Sequence, residues 1–203
     1  MNIFYTHPNP HKCANEHCNV HQVKMILEYT QLLSTAHRMS DGVLTKVRLL
    51  PLAGISVVKN VYLHKSDKCS AQHDGILLLY STVLLLDTHH NHPSAVWVRQ
   101  SVENYAWLYQ CLMQLHKLYS DRTGKEHKLR SLAITTLRYP PELLACNGFS
   151  EPPVAAPEQF KDMVSSVGVC AAYHAYLRYK FSEWLSRDKP MRVEFTTRKP
   201  SWL

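Results

Sequence analysis

The clearest structural signal in the chain is the stretch 12–38, which reads KCANEHCNVHQVKMILEYTQLLSTAHR. It contains neither Gly nor Pro, and the turn sequence Ser40-Asp41-Gly42 follows it. A long run without either helix breaker, closed by a glycine turn, predicts one long helix over residues 12–38. The rest of the chain is expected to pack around this helix.

A narrow polar stripe runs along the predicted helix. At about 100° per residue, six polar side chains share one face, and they are His17, His21, Lys24, Glu28, Gln31 and Thr35. Apolar side chains, among them Val23 and Met25, flank the stripe on both sides. A bracketed stripe is typical of a mostly buried helix that lines a cleft, because an ordinary surface helix has a broad polar face. The alternative is a solvated seam with a Lys24–Glu28 pair at the i, i+4 spacing.

Residues 43–90 differ in character from the helical stretches around them. They contain three runs rich in leucine and β-branched residues, separated by glycine, proline and polar residues. Such runs, bounded by turn residues, predict strands at 43–50, 55–64 and 76–86. The last run is equally compatible with a buried helix, since periodicity does not separate the two over so short a length.

Two further helices are predicted downstream. Pro93 stands where a first-turn proline is favoured, so a second long helix is predicted over residues 93–119. Another helical pattern covers residues 158–186 and is interrupted near Gly168.

These elements together predict a mostly α fold of the α+β type. We expect a compact helical single domain over residues 1–203, with two long helices and a small β-rich excursion at residues 43–90. The basic, extended tail at residues 192–203 is expected to dock on the body of the domain through Trp202.

The positive charge of the chain is regional. The 203 residues carry 23 Lys and Arg against 16 Asp and Glu, a formal net charge of +7. Residues 117–138 hold six basic residues against two acids, and residues 176–203 hold seven against three. Concentrated positive charge favours contacts with phosphate, so Arg122 and Lys125 are candidate phosphate ligands. The alternative is a solvated basic face without a ligand.

Neither a disulfide framework nor a membrane partner is expected. Most of the six cysteines stand among apolar neighbours, and the N-terminus lacks a secretory signal, which indicates a reducing, cytoplasmic location. The longest apolar run, residues 76–86, has 11 residues, about half of the ~20 that a membrane span requires. The sequence leaves the oligomeric state open, including a homodimer.

The start of the second predicted helix is a candidate binding site. Helix N-termini present free backbone N–H groups and a partial positive charge, so His92 and Arg99 are candidate phosphate ligands. Trp97, Asn104 and Trp107 share a face of that helix and combine aromatic surface with an amide, as a stacked base requires. The alternative is that both tryptophans belong to the core and that Asn104 bonds to the backbone.

Neither a metal nor a cofactor is expected. Five potential ligands crowd into residues 11–21, but the region lacks a Cys-x2-Cys pair and a matching second couple. The sequence also lacks a phosphate-cradling glycine loop and a dinucleotide fingerprint, which argues against kinases, P-loop enzymes and Rossmann dehydrogenases.

Several blocks of sequence carry a resemblance. They are residues 12–14, 21–28, 31–37, 91–93 and 198–202, together with Trp97, Arg99, Ser101, residues 104–105 and 107–108, Arg122, residues 124–125 and His127. In these blocks, which cover about half of the chain, it resembles a family of small proteins of unassigned function encoded by tailed phages. That resemblance implies a location in the host cytoplasm during infection and names no activity.

More distantly, the chain is similar to phage pyrimidine-dimer DNA glycosylases of the endonuclease V type. Both have a first helix that carries histidine and glutamate, a central helix, and a basic, aromatic C-terminal part. Those compact helical enzymes cleave a base–sugar bond with an N-terminal amine and a glutamate on a helix. The resemblance implies that Glu28 is the catalytic carboxylate, with Lys24 and His21 as its electrostatic partners. The N-terminus departs from the pattern, because Asn2 is too bulky for ready removal of Met1.

Three functions remain open on this sequence. The leading hypothesis is an N-glycosidase-like hydrolase acting on nucleic acid or a nucleotide, with Glu28, His92 and Arg99 converging in one pocket. The second is a non-catalytic protein that sequesters a small anionic nucleotide, such as a host defence signal. The third treats both polar stripes as packing seams and predicts no ligand-shaped cleft between the long helices.

Overall fold

The computed structural model of the chain describes residues 1–49, 56–72 and 74–203. The helices are α1 (Pro10–Asn15), α2 (Asn19–Asp41), α3 (Pro93–Val98), α4 (Val102–Thr123), α5 (Arg130–Thr135), α6 (Glu158–Lys161) and α7 (Val164–Leu185). The strands are β1 (Val43–Leu49), β2 (Val57–Leu63), β3 (Lys68–Ser70) and β4 (Leu77–Ser81). Among the described residues, no helix is both long and apolar enough to cross a membrane.

The architecture is α+β, and the predicted mostly α fold is wrong. Helices account for 45% of the structure, the long ones are α2, α4 and α7 rather than two, and the excursion forms a four-stranded mixed sheet. The strand β3 lies in a polar stretch without a strand signal and forms because β4 offers it backbone partners. The predicted strands at 43–50 and 55–64 include residues 50 and 55, which lie outside the described residues.

The sheet has the strand order β2-β1-β4-β3. The pairs β1–β2 and β3–β4 are antiparallel, whereas β1 and β4 run parallel. Val47, Val61 and Leu79 form a small apolar cluster on this sheet, separate from the main core. The main core lies between the N-terminal segment, α2, α4 and α7.

Two of the predicted helices are each divided in two. The predicted helix 12–38 breaks between α1 and α2, where the backbone N–H of Asn19 donates to the carbonyl of Glu194 in the C-terminal tail at 2.7 Å. The predicted helix 93–119 breaks at Ser101, whose Oγ accepts the backbone N–H of Asn104 at 3.1 Å and so caps α4. The predicted interruption near Gly168 is confirmed, because this residue has a φ of 80° inside α7.

The tail at residues 192–203 packs against α1 and α7. Trp202 stacks on His174 with ring centroids 4.6 Å apart, and its Nε1 donates to a carboxylate oxygen of Glu16 at 2.9 Å. The tail therefore closes one side of the helical core.

Arg38 joins α2 to the sheet. Its side chain is fully buried, and all five of its N–H donors are used. They reach the carboxylate of Asp67 at 2.6 and 3.0 Å and the backbone carbonyls of Tyr62, Leu84 and Leu85. A bidentate ion pair with no unpaired donor fixes the end of α2 against β2 and the segment after β4.

Replacement of Arg38 by Met is expected to lower the free energy of unfolding by about 3–5 kcal/mol, because it leaves the charge of Asp67 buried without its partner. Urea denaturation followed by circular dichroism measures the change. The matched control is Arg48→Met, since the Arg48–Asp74 pair is substantially exposed and is expected to contribute about 1 kcal/mol or less. Equal losses in the two variants would contradict the structural role given to Arg38.

Candidate functional site

The carboxylate of Glu28 lies beneath the N-terminal segment. Its Oε2 accepts the backbone N–H of Asn2 at 2.9 Å, and its Oε1 is 3.4 Å from the Nζ of Lys24. Only 13% of the Glu28 side chain is exposed, against 59% for Lys24. Glu28 is therefore a shielded acid with an exposed cation beside it.

Asn2 is fixed on both sides by side-chain hydrogen bonds. Its Nδ2 donates to the carbonyl of Ala155 at 2.7 Å, and its Oδ1 lies 2.7 Å from the hydroxyl of Tyr173. The same hydroxyl accepts the backbone N–H of Ala155 at 3.1 Å. The contact between Asn2 and Glu28 is thus held by α7 and by the loop that precedes α6.

His92 lies close enough to Glu28 and to the N-terminal amine for their charges to act on it. Burial lowers the pKa of His92, and the positive charge of the amine and the nearby His89 lower it further, against the opposing charge of Glu28. Its Nδ1 accepts the backbone N–H of Ser94 at 3.2 Å, so the proton of the neutral ring is on Nε2. His92 offers a neutral N–H donor rather than the positive charge expected of a phosphate ligand.

A cavity of about 330 Å³ opens beside this group. Its lining residues are His92, Pro93, residues 154–157, Lys161 and Tyr176. The volume falls within the range of about 300–1,000 Å³ that is usual for small-molecule sites. Glu28 is not one of the lining residues. Its charge acts on His92, which lines the cavity, and it accepts the backbone N–H of Asn2, whose side chain donates to the carbonyl of Ala155 in the lining.

His21 does not act on Glu28 as a charge. Its ring packs against Phe4, with centroids 4.5 Å apart, and against Trp184 at 5.0 Å. Burial lowers the pKa of His21 to about 2, so the ring is neutral at physiological pH. It is a core residue, and its Nε2 has no hydrogen-bond partner within the described part of the chain.

The polar stripe is bracketed by buried residues on one flank only. Val20, Val23 and Leu27 are 39%, 41% and 44% exposed, whereas Met25 on the other flank is buried. The prediction of apolar burial on both sides of the stripe is wrong. The helix α2 turns His21 into the core, and the flank formed by Val20, Val23 and Leu27 faces outward.

Arg99 lies apart from Glu28. It follows the last residue of α3, and its guanidinium donates to the carbonyl of His90 at 2.9 Å. Burial lowers its pKa, and the nearby Tyr62 opposes that shift. The charge of Glu28 therefore acts on His92, whereas the side-chain hydrogen bond of Arg99 goes to His90, before α3.

Trp97, Asn104 and Trp107 are buried, and protein groups satisfy their polar atoms. The indole of Trp97 donates to the carbonyl of Ser150 at 2.9 Å, and that of Trp107 donates to the carbonyl of Pro8 at 2.6 Å. The Oδ1 of Asn104 accepts the backbone N–H of Ser150 at 2.9 Å. Trp97 and Asn104 fasten the loop around Ser150 to the core, and Trp107 fastens the N-terminal segment at Pro8, as the packing alternative predicts. Trp97 also lines a second cavity of about 470 Å³.

Arg122 and Lys125 lie at the far end of α4. At about 1.5 Å per residue, Arg122 is about 30 Å along the helix from its first residue. Its guanidinium lies 5.8 Å from the ring centroid of Tyr119. The four candidate phosphate ligands therefore do not form a single site.

No protein-family model, curated protein or solved structure matches this chain. The site rests on its own geometry, which includes four residues that sequence reasoning missed, namely Asn2, Lys161, Tyr173 and Tyr176. The resemblance to the DNA glycosylases indicated a role for the N-terminus, and the prolines around residues 152–157 predicted a loop. Neither signal indicated that this loop reaches the N-terminal segment.

Proposed function

We propose that this chain is a tailed-phage protein that acts on nucleic acid or a nucleotide in the host cytoplasm. It would do so as an N-glycosidase-like hydrolase that cleaves a base–sugar bond. The observation that carries this proposal is the shielded carboxylate of Glu28, held by Asn2 beside a neutral His92 and a cavity of nucleoside scale.

The proposed reaction replaces the C1′–N bond of the nucleoside by a C1′–O bond. Water adds to C1′ and gives a proton to the Glu28 carboxylate, which also faces the positive charge that develops on the sugar. The electron pair of the C1′–N bond leaves with the base, whose developing negative charge accepts a hydrogen bond from the Nε2–H of His92. The base takes its proton from solvent, and Glu28 gives up its proton to solvent, which restores the site.

The surroundings of the cavity suit an anionic substrate. Lys161 and Tyr176 line the cavity, the charge of the N-terminal amine acts on His92, and Lys24 pairs with Glu28. Tyr176, whose ring packs against Phe160 and lies beneath the ammonium of Lys180, adds aromatic surface to the lining of the kind that bases contact, and the cations suit phosphate. We assign base and phosphate recognition to this group in place of the buried tryptophans.

The experiment that tests the proposal is a product analysis. Purified protein is incubated with duplex DNA, ultraviolet-irradiated DNA, RNA and a panel of mono-, di- and cyclic nucleotides, and free base is measured by mass spectrometry. We expect catalytic release of base from one of these classes, with more than one equivalent formed per chain. Recovery of an intact nucleotide from heat-denatured protein, without free base, would contradict the hydrolase and favour sequestration.

A further inference from the structure

A second group of chemically competent side chains lies at the other end of α2. His37, Asp41 and His64 each offer one ligand atom, and these three atoms lie within 4.8 Å of one another. The first two are one helical turn apart on α2, whereas His64 follows β2. We propose that this group binds one divalent transition-metal ion, with Zn²⁺ as the best match.

The tautomer of His37 is fixed for metal binding. The hydroxyl of Tyr105 donates its single proton to the carbonyl of Leu137 at 3.0 Å. It must therefore accept a hydrogen bond from the Nε2 of His37, which lies 2.9 Å away. The proton of the neutral imidazole is on Nε2, and the lone pair of Nδ1 faces Asp41, whose Oδ2 is 3.7 Å away.

Asp41 and His64 are also oriented by hydrogen bonds with residues outside the group of three ligands. The carboxylate of Asp41 accepts the backbone N–H groups of Glu142 at 3.1 Å and Leu143 at 3.3 Å. The Nδ1 of His64 lies 2.8 Å from the hydroxyl of Ser66 and 3.2 Å from the backbone nitrogen of Ser66, so metal binding at Nε2 moves the ring proton to Nδ1, where it donates to that hydroxyl. Each of the three ligands thus has an outer hydrogen-bond partner that orients it, which is the usual second layer of a metal site.

The ion pair of Arg38 places His64 beside α2. Asp67, which receives the guanidinium of Arg38, also accepts the backbone N–H of His64 at 3.0 Å. The two histidine rings meet edge to face, with centroids 5.9 Å apart. The fold therefore fixes ligands from two separate elements through one buried contact.

The group opens into a cavity of about 350 Å³. Besides the three ligands, its lining includes Lys65, Thr135, Thr136, Tyr139, Pro140 and Glu142. Three protein ligands with one side open to solvent are the arrangement of zinc sites that keep a position for water or substrate.

Ligand chemistry favours Zn²⁺ over the hard cations. Two imidazole nitrogens and one carboxylate suit Zn²⁺ and its neighbours, whereas Ca²⁺ and Mg²⁺ prefer oxygen ligands. Zinc bond lengths of about 2.0–2.2 Å place tetrahedral ligand atoms about 3.4 Å apart, close to the 3.7 Å between His37 and Asp41.

This site is distinct from the one proposed for base release. His37 lies nine positions after Glu28 on α2, which corresponds to about 14 Å along the helix axis. The proposal departs from the expectation of no metal, which considered the cluster at residues 11–21. In that cluster His17 is already bonded to the carbonyl of Cys13 and to the hydroxyl of Tyr29.

Isothermal titration of tag-free, chelator-treated protein with ZnCl₂ tests the proposal. We expect one equivalent to bind, and Asp41→Asn and His64→Asn each to weaken binding at least tenfold. His11→Asn, which changes an exposed histidine on α1, is the matched control and is expected to bind as the wild type does. Circular dichroism of the metal-free variants verifies that they are folded.

A second readout does not depend on variants. CoCl₂ added to the wild-type protein is expected to give the visible absorption bands of a four-coordinate Co²⁺ ion, and ZnCl₂ is expected to abolish them. The proposal is overturned if the wild type binds no Zn²⁺, or if the affinity is the same in both folded ligand variants. It is equally overturned if only His11→Asn loses binding.

Discussion

Replacement of Glu28 by Gln is expected to lower the rate of base release by about 10²–10⁴-fold, the usual contribution of a general base. The amide has nearly the shape of the carboxylate, and its oxygen still accepts the backbone N–H of Asn2, so the fold is retained. What the variant loses is the negative charge that faces the sugar and the group that takes the proton from water. Single-turnover rates with saturating protein measure the loss directly.

The matched control for this variant is Glu183→Gln. Glu183 is an exposed acid on α7 that pairs with Arg187, and its replacement is expected to leave the rate unchanged. A Glu28→Gln protein with full activity would contradict the role of Glu28. Loss of activity together with loss of the cooperative unfolding transition would instead assign Glu28 a purely structural role.

The stability of the protein is expected to fall steeply as the pH drops below about 6.5. Burial lowers the pKa of His17 to about 4, of His21 to about 2 and of His116 to about 4. In the unfolded chain these rings titrate near 6.5, so below that pH the unfolded state takes up protons that the folded state excludes. Above pH 6.5 the three rings are neutral in both states, and their contribution to stability does not change with pH.

The size of the effect follows from the proton count. Each ring contributes about 1.4 kcal/mol per pH unit below 6.5, so the three together remove about 6 kcal/mol between pH 7 and pH 5. That loss is comparable to the whole stability of many domains. Urea denaturation at a series of pH values measures it, and a midpoint that is constant over this range would contradict the assignment of these rings as buried and neutral.

The variant His21→Phe measures how much one of the three rings contributes to the pH dependence of stability. His21 already packs against Phe4, Phe181 and Trp184, and its Nε2 has no partner within the described residues, so a phenyl ring suits the site. We expect the pH dependence of the unfolding free energy to decrease by about 1.4 kcal/mol per unit between pH 6 and pH 4. His11→Phe, at an exposed position, is expected to leave the slope unchanged.

The candidate site was predictable where residues are neighbours on one element. The i, i+4 spacing of Lys24 and Glu28 predicted their contact, and the structure places the charged atoms 3.4 Å apart. His92 was predicted to share one pocket with Glu28; the charge of Glu28 acts on it, but the cavity that His92 lines does not include Glu28 among its lining residues. Arg99 does not join them, because the predicted helix ends at Val98 and the guanidinium turns toward His90.

The tryptophans show why residue type alone did not reveal the binding surface. Trp97 and Trp107 have the same helical spacing whether their face meets a ligand or the core. Their indole N–H groups meet the carbonyls of Ser150 and Pro8, which are 53 and 99 residues away along the chain. Those partners are contributed by loops, whose paths helical periodicity does not describe.

The sequence by itself determined the long helical stretch that contains α2, the strand-forming character of residues 43–90 and the interruption at Gly168. These are local properties, since they depend on backbone preferences and on side chains three or four residues apart. Only the tertiary structure decided that Asn2 meets Glu28 across 26 residues and that His64 joins His37 and Asp41. Such meetings depend on how buried surfaces pack, and packing is a property of the whole chain rather than of any one segment.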